Sequence, residues 1–421
     1  MPRWCCLYWR VSDPAAAEGA ADLSARFKAD GWTLHIETRG WTLWTRGSPP
    51  AVQILEGERG AVLGELHPHP AHGAQPGHVV KVLPFDPEVA SRLLTERTWG
   101  RYVALLGMDG DRAALYRDPS GAFEAFVWDV ARGVTVASDE VWGLPAGLAP
   151  PRLSIDWSRV ALGLIEPVAA IVEPPLRGFD PVGAGMLKPL QQGAAQTSIW
   201  RPSMFATDAG LGPAEAADAI RARTERCVSA LLDKRSAFLA EVSGGLDSAI
   251  VASTAVLCGH APSAAAWINT WSPLGGADER AYAHAVAARL GIVLRELKLE
   301  PAVFSDQDHA GILDGVRPPL TAASREYDRT IAAVATQVGA DALLTGEGGD
   351  AVFFQSPTPL IAADLLALRG PQALLSEEMA QHARRLRRSL WTLAANACAT
   401  RHRRRPALSA PPRPCPARVR L

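Results

Sequence analysis

Glu241-Val242-Ser243-Gly244-Gly245-Leu246-Asp247-Ser248 is the stretch on which the fold turns. Before it, residues 237–242 form a short apolar run that reads as a strand; after it, residues 247–258 carry a helical pattern. The same alternation continues, with strand-like runs at 264–270, 293–297 and 342–344 and helical runs at 277–290 and 327–338. Strand and helix in that order imply right-handed βαβ crossovers and a parallel sheet with helices on both faces. The quoted loop then lies at the carboxyl edge of the sheet, where open α/β folds bind ligands.

Gly244 and Gly245 lack Cβ atoms, so backbone N–H groups can close around phosphate oxygens, and the following helix start adds positive potential. Ser243 and Ser248 are candidate hydroxyl donors to the same phosphates. A plain strand-to-helix turn capped by serine is the simpler reading of a glycine pair. Asp247 argues against it, because a carboxylate beside a phosphate cradle is repelled unless a cation such as Mg2+ stands between them. The chain has no Gly-x-x-x-x-Gly-Lys-Ser/Thr stretch, which disfavours γ-phosphoryl transfer of that type.

Thr345-Gly346-Glu347-Gly348-Gly349-Asp350 repeats the geometry, a strand emptying into a glycine-rich loop. Asp350 is a second oxygen ligand for Mg2+, and Glu347 a carboxylate placed to steer or deprotonate an attacking amine. Either loop alone could be a mere turn; two at strand ends of one sheet make coincidence a poor account.

The remaining features bound the answer. With 421 residues, two domains are expected. Lys and Arg total 43 against 44 Asp and Glu, so no global field gathers polyanions, and no nucleic-acid partner is expected. The apolar patch at 4–9 is bounded by Arg3 and Arg10, too tightly for a signal peptide or membrane span, and the expected location is cytoplasmic. Six cysteines without Cys-x-x-Cys spacing support neither a disulfide framework nor a zinc site. His67, His69, His72 and His78 lie among Pro and Gly and read as a solvated loop.

Residues 32–137 contain short β runs at 33–37, 41–45, 52–55, 79–83, 102–108, 113–116 and 125–128, separated by turn residues, with the hairpin signal Met108-Asp109-Gly110-Asp111. That spacing implies a sandwich of antiparallel sheets. Residues 213–233 read as an Ala-rich helix after a Gly/Pro connection. The expected domains are 1–203, 204–400 and a disordered Arg/Pro-rich tail at 401–421.

The first loop resembles the PP-loop of the asparagine synthetase family, and the second resembles that family's other nucleotide-site loop. Asp278-Glu279-Arg280-Ala281-Tyr282-Ala283, with Val286-Ala287 and Leu290-Gly291, is similar to the helix that follows its second strand. The resemblance spans about residues 100–360 and implies a two-domain α/β and α+β chain: a degenerate Ntn-glutaminase-like β-sandwich, then a doubly wound parallel PP-loop ATP pyrophosphatase domain. It implies ATP and Mg2+, with Val242, Ile268, Thr345 and Gly346 around adenosine, residues 243–248, Leu246 included, on pyrophosphate, Asp247 and Asp350 on the metal, and Glu347 as catalytic carboxylate.

Arg117-Asp118-Pro119-Ser120-Gly121 and Ala137-Ser138-Asp139-Glu140 look like landmarks of the family's glutaminase domain. In glutamine-dependent members the nucleophilic cysteine is the first residue after Met removal; here Pro2 and Arg3 follow Met1, and Cys5 and Cys6 cannot present their own α-amine. The expectation is an inactive glutaminase-like domain and an amine supplied by the substrate, as in β-lactam and lasso-peptide macrolactam synthetases. The run 348–357, with Ala351 where asparagine synthetases usually carry Glu, is similar to lasso cyclases. The resemblance then implies a precursor peptide as substrate, with a leader peptidase and a leader-binding protein as partners. The family's downstream lysine has no counterpart after Lys298, Arg384, Arg385, Arg387 and Arg388 reading as a solvated helix face, and a truncated synthetase domain is expected. The alternatives are ammonia-dependent asparagine synthase, a tRNA-modifying PP-loop enzyme and a non-catalytic homologue or scaffold.

Overall fold

The computed structural model describes residues 3–47, 50–69, 76–165, 173–191, 193–205, 210–273, 278–299, 316–317, 325–352 and 360–404. The chain divides into two compact units, Met1–Ala209 with Ala302–Arg325, and Gly210–Pro301 with Glu326–Leu421. The expected boundary at 203/204 thus stands against an observed one at 209/210, and the first unit also takes up the 302–325 stretch.

The first unit begins with β1 (Arg3–Tyr8), α1 (Pro14–Ala29), β2 (Thr33–Glu37), β3 (Trp41–Arg46), β4 (Val52–Ile54), β5 (Ala61–Pro68), α2 (Pro76–Lys81) and α3 (Pro87–Arg97). It continues with β6 (Thr98–Leu106), β7 (Ala114–Arg117), β8 (Phe126–Asp129), β9 (Thr135–Ser138), β10 (Ser154–Ile155) and α4 (Trp157–Ile165). The last strands are β11 (Leu176–Arg177), β12 (Asp180–Pro181), β13 (Met186–Pro189) and β14 (Thr197–Ser198). Two six-stranded antiparallel sheets result, ordered β12-β8-β9-β1-β3-β2 and β14-β13-β7-β6-β5-β4.

Strand alternation builds the layers. Trp4 and Cys6 point inward with Leu43 to meet Leu63, Val103 and Leu115 of the other sheet. Cys5 and Leu7, one residue out of phase, pack with Trp44 against Ala16, Ala20 and Phe27 of α1. On the far side Tyr102 and Ala104 pack against Val79, Ala90 and Leu94 of α2 and α3. The unit is therefore two sheets covered by helices on both outer faces.

Several sequence expectations change. Residues 79–83 are not a strand: α2 covers Val79 and Val80, and Val79, Val80 and Leu83 are buried while Lys81 and Val82 are exposed. That i, i+1, i+4 pattern is one helix face, whereas a strand would have paired Lys81 with the valines. Strands β1, β5 and β9 and helices α1 and α3 have no counterpart among the expected runs. His67 is in β5, buried and stacked on Trp99 with ring centroids 4.5 Å apart, so it is not part of a solvated loop; His72 lies outside the described residues. The residues 108–111 do connect two paired antiparallel strands, β6 and β7.

The second unit contains α5 (Pro213–Leu232), β15 (Phe238–Glu241), α6 (Leu246–Leu257), β16 (Ala264–Trp271), α7 (Arg280–Leu290), β17 (Leu294–Lys298), α8 (Arg325–Val338) and β18 (Ala342–Leu344). After the short α9 (Gly349–Val352), helices α10 (Leu360–Arg369), α11 (Glu377–Arg385) and α12 (Leu390–Arg404) pack on one another through Leu366, Met379 and Leu393. The four strands are parallel in the order β17-β16-β15-β18. Phe238, Ala240 and Val242 face α5, α6 and α7, while Leu239 and Ile268 face Ile331 and Val334 of α8. Chain direction reverses at β15: β16 and β17 follow on one side and β18 is added on the other, which puts a topological switch point between β15 and β18. Residues 401–404, read from composition as disordered, are the final turn of α12; 405–421 lie outside the described residues.

Cys5 and Cys6 are buried free thiols, and burial pushes both well above the ordinary thiol range. We expect alkylation of the native protein at pH 8 to leave both unmodified until denaturant is added, while exposed Cys398 is labelled; mass spectrometry of tryptic peptides reads the result, and rapid native labelling of either Cys5 or Cys6 would contradict the packing.

Candidate nucleotide site

At the end of β15 the chain turns through Gly244 at φ +94° and enters α6 with Gly245 as N-cap. Gly244 is required twice over: its φ lies in the left-handed region, and a Cβ there would meet the Glu279 carbonyl oxygen at 2.8 Å. The loop is tied internally. Ser243 N donates to Ser248 Oγ at 3.1 Å, and the two hydroxyls are 2.9 Å apart. Ser248 Oγ also donates to the Gly245 carbonyl at 3.1 Å, and Gly245 N donates to Ser243 Oγ at 3.3 Å. If Ser248 donates to Gly245, Ser243 donates to Ser248, so both hydroxyl protons are used inside the loop.

Ser243 and Ser248 therefore shape the turn. What the loop offers an anion is the set of backbone N–H groups at the start of α6 that have no intrahelical carbonyl to bond. Leu246 at the crest is 68% exposed. Val242 and Ile268 have no exposed side-chain surface, and Val242 N donates to Ile268 O at 2.8 Å. Both belong to the sheet beneath the loop, with their side chains in its two core faces.

The second loop begins at the tip of β18, hydrogen-bonded neighbour of β15. Thr345 Oγ1 accepts from Glu347 N at 3.3 Å, and Gly346 O accepts from Gly349 N at 3.4 Å. Its contact with the first loop is direct. A Cβ on Gly346 would overlap Ser248 N and lie 2.7 Å from the Asp247 carbonyl carbon. A Cβ on Gly349 would overlap one Asp247 carboxylate oxygen and lie 2.9 Å from the other. Residues 243–248 and 345–350 thus form one continuous surface at the switch point.

The charges gathered here are negative. Asp247 is in the first turn of α6, and Asp350 directly follows the glycine against which the Asp247 carboxylate lies. Carboxylate oxygens are the donors that suit Mg2+, and Asp247 and Asp350 would each supply one side chain; among the described residues no group of three His, Cys, Asp or Glu that could hold a metal occurs. Exposed Glu347 is near enough to Tyr327 to raise its pKa, although burial and Glu241 do so more strongly.

Several neighbours were not singled out as ligand-site residues in the sequence. Glu241 accepts from Tyr327 Oη at 2.6 Å and from Thr270 Oγ1 at 2.8 Å, which pins a carboxylate at the root of the first loop without a cation. A cleft of about 320 Å3 opens beside Ser243, lined among others by Asn269, Trp271, Asp278 and Arg280. Arg280 lies 4.0 Å over the Trp271 ring and bonds Asp278 at 2.6 Å and Glu296 at 3.0 Å. The Arg280 hydrogen bonds hold the Asp278 carboxyl down to about 2, so this wall stays charged at physiological pH. The signals available for these residues were a glutamate at the end of an apolar strand and an asparagine inside another.

In the first unit the stretches 117–121 and 137–140 hold structure. The buried Asp118 carboxylate accepts from Ser120 N at 2.7 Å and Tyr102 N at 3.2 Å, and Arg117 donates to Val182 O at 2.8 Å. Ser138 Oγ and Asp139 Oδ1 bind Trp4 O and Trp4 N at 2.7 and 3.1 Å, anchoring the start of β1.

Comparison with known proteins agrees on the second unit. Residues 219–415 match the family described as Asparagine synthase. A search of curated proteins returns no match. Among solved structures, the crystal structure of NAD+ synthetase from Burkholderia pseudomallei aligns at 20% identity over 31% of this chain and 69% of its own, with a TM-score of 0.20, too low to establish a shared fold.

The two glycine contacts differ in what can yield. Gly346→Ala sets a methyl group against backbone, whereas Gly349→Ala meets only the end of a side chain. We expect Gly346→Ala to weaken ATP binding at least about tenfold and to lower the melting temperature by several degrees, and Gly349→Ala to act more mildly on both. Calorimetric titration and thermal melting check this; equal tolerance of both would contradict the close approach.

Proposed function

We propose that the second unit uses ATP to activate a carboxylate and joins the acyl group to an amine, forming AMP and pyrophosphate. One observation carries this reading: the close apposition of the phosphate-type loop at 243–248 and the acidic loop at 345–350, seen in the packing of Gly346 on Ser248 and of Gly349 on Asp247. A substrate carboxylate oxygen attacks the α-phosphorus, and pyrophosphate leaves with the α–β bridging oxygen. The amine then attacks the acyl carbon, loses its proton to a base, and displaces AMP. Amides at the start of α6 receive the departing pyrophosphate. Glu347 is the carboxylate available to hold the amine and accept its proton. Asp247 and Asp350 are the residues that would hold Mg2+, which would supply charge neutralisation for the phosphates.

Our finer reading is closure of an isopeptide macrolactam in a precursor peptide. Two observations favour it over synthesis of asparagine from glutamine. Cys5 and Cys6 are buried with raised pKa values, which leaves neither as a thiolate nucleophile for glutamine and favours a degenerate glutaminase-like role for the first unit. Ala351 directly follows Asp350, as in the lasso cyclases that the sequence resembles; residues 353–357 of that resemblance lie outside the described residues. Its partners would be a leader peptidase and a leader-binding protein, and its place the cytoplasm, where ATP and newly made peptide are found. Among the described residues no helix is long and apolar enough to cross a membrane. Asparagine synthesis from aspartate and free ammonia is the second reading, supported by the family match.

ATP–pyrophosphate exchange tests both levels. We expect exchange that is stimulated by a precursor peptide with an internal Asp or Glu and not by aspartate, and that falls at least about a hundredfold in Asp247→Asn and in Asp350→Asn with the melting temperature preserved. Stimulation by aspartate alone would select the second reading; undiminished exchange in both variants would overturn the metal assignment.

A further inference from the structure

The four arginines that the sequence presents as one solvated helix face do not lie on one helix. Arg384 and Arg385 end α11, whereas Arg387 and Arg388 belong to the turn that leads into α12. All four are exposed, and among the described residues none makes an ion pair or a side-chain hydrogen bond. By contrast, Arg369 pairs with Glu378 at 3.0 Å, and Arg280 pairs with Asp278 and Glu296. Uncompensated positive charges this close in the chain repel one another and favour an anionic partner.

The turn itself carries a second signal. Arg387 N donates to Arg384 O and Arg388 N to Ala383 O, both at 3.0 Å, the pattern that closes a helix when the residue after its cap is left-handed. Arg387 is that residue, at φ +51°. Glycine suits such a position, because a Cβ is strained there. Among the described residues of the second unit no other non-glycine residue has a positive φ. A strained arginine whose side chain binds no partner in the fold points to a use outside it. Close by, Ser389 Oγ accepts from Thr392 N at 3.1 Å at the start of α12, and Trp391 in the first turn of that helix is 82% exposed.

We propose that the corner at residues 384–391 binds an acidic peptide segment. Asp and Glu carboxylates of the segment accept forked hydrogen bonds from the arginines, and an apolar side chain of the same segment covers Trp391. Arginine and tryptophan are the residue types that contribute most to binding between proteins. A nucleic acid is a poorer match, since 43 basic against 44 acidic side chains leave the chain no field that gathers polyanions. So is a membrane surface: α11 and α12 bury Met379, Ala383, Leu393 and Ala397 in one core, and neither keeps a free apolar face for lipid. The corner uses no residue of the loops at 243–248 and 345–350, so it stands independently of the nucleotide reading and goes beyond it.

The test is fluorescence anisotropy on the full-length unmodified protein, without nucleotide. The probes are a fluorescein-labelled Glu-Leu-Glu-Glu-Leu-Glu peptide and its Gln-for-Glu counterpart, and the competitors are the unlabelled acidic peptide, an RNA hexamer and phosphatidylglycerol vesicles. We expect the acidic peptide to bind at least about tenfold more tightly than its Gln counterpart, and to weaken as salt is raised. Replacing all four arginines by Gln should remove that preference, and Trp391→Ala should weaken binding at least about threefold. Arg387→Gly is the sharper variant: relief of the left-handed strain should raise the melting temperature by at least about 1 °C while binding weakens at least about twofold. Equal binding of the two peptides by the unmodified protein overturns the proposal without reliance on any variant. So does stronger displacement by RNA or vesicles than by the unlabelled peptide, which would assign the corner to that partner. Undiminished binding in Arg387→Gly or in the fourfold variant overturns it as well.

Discussion

A missing methyl group holds the candidate site together. Gly346 lies so close to the first turn of α6 that no side chain of any kind fits between them, and the closeness is backbone against backbone, where little can give. β15 and β18 are direct neighbours, so their tips emerge side by side, and only glycine lets the loop from one rest on the helix start that follows the other. Without that contact the amides of α6 and the carboxylates of the second loop would be separate features. With it they face one volume.

That volume is strongly unbalanced in charge. The Asp247 carboxylate lies against Gly349, next to Asp350 in the chain, and Glu241 at the root of the first loop is stabilised by two hydroxyls and not by a cation. Acidic side chains near one another are relieved by positive charge. The helix start provides a part of it, and a hydrated divalent cation with its phosphates suits the rest. The hydroxyl pair Ser243 and Ser248 answers a different need: it fixes the backbone of the turn.

The parallel sheet was legible because each strand is a short apolar run closed by Gly or a polar turn, and each helix has length and period of its own; the runs at 237–242, 264–270 and 342–344 correspond to β15, β16 and β18. The first unit was less so. Residues 79–83 are β-branched but spaced for a helix, and the spacing prevailed. β1, apolar on both faces because it is covered by the other sheet and by α1, has no alternation to read. In the site, the glycines and acids declare themselves, since their residue types admit few uses. Asn269, Thr270 and Tyr327 do not, because their importance comes from partners 27 to 86 residues away, which local pattern cannot reveal.

Hydrogen–deuterium exchange with and without Mg2+ and a non-hydrolysable ATP analogue tests the single-surface claim most directly. One bound nucleotide should slow exchange in the peptides spanning 243–248 and 345–350 together, with the same dependence on analogue concentration. Protection confined to one loop, or appearing in the two at different concentrations, would mean that they do not serve one nucleotide and would contradict the account.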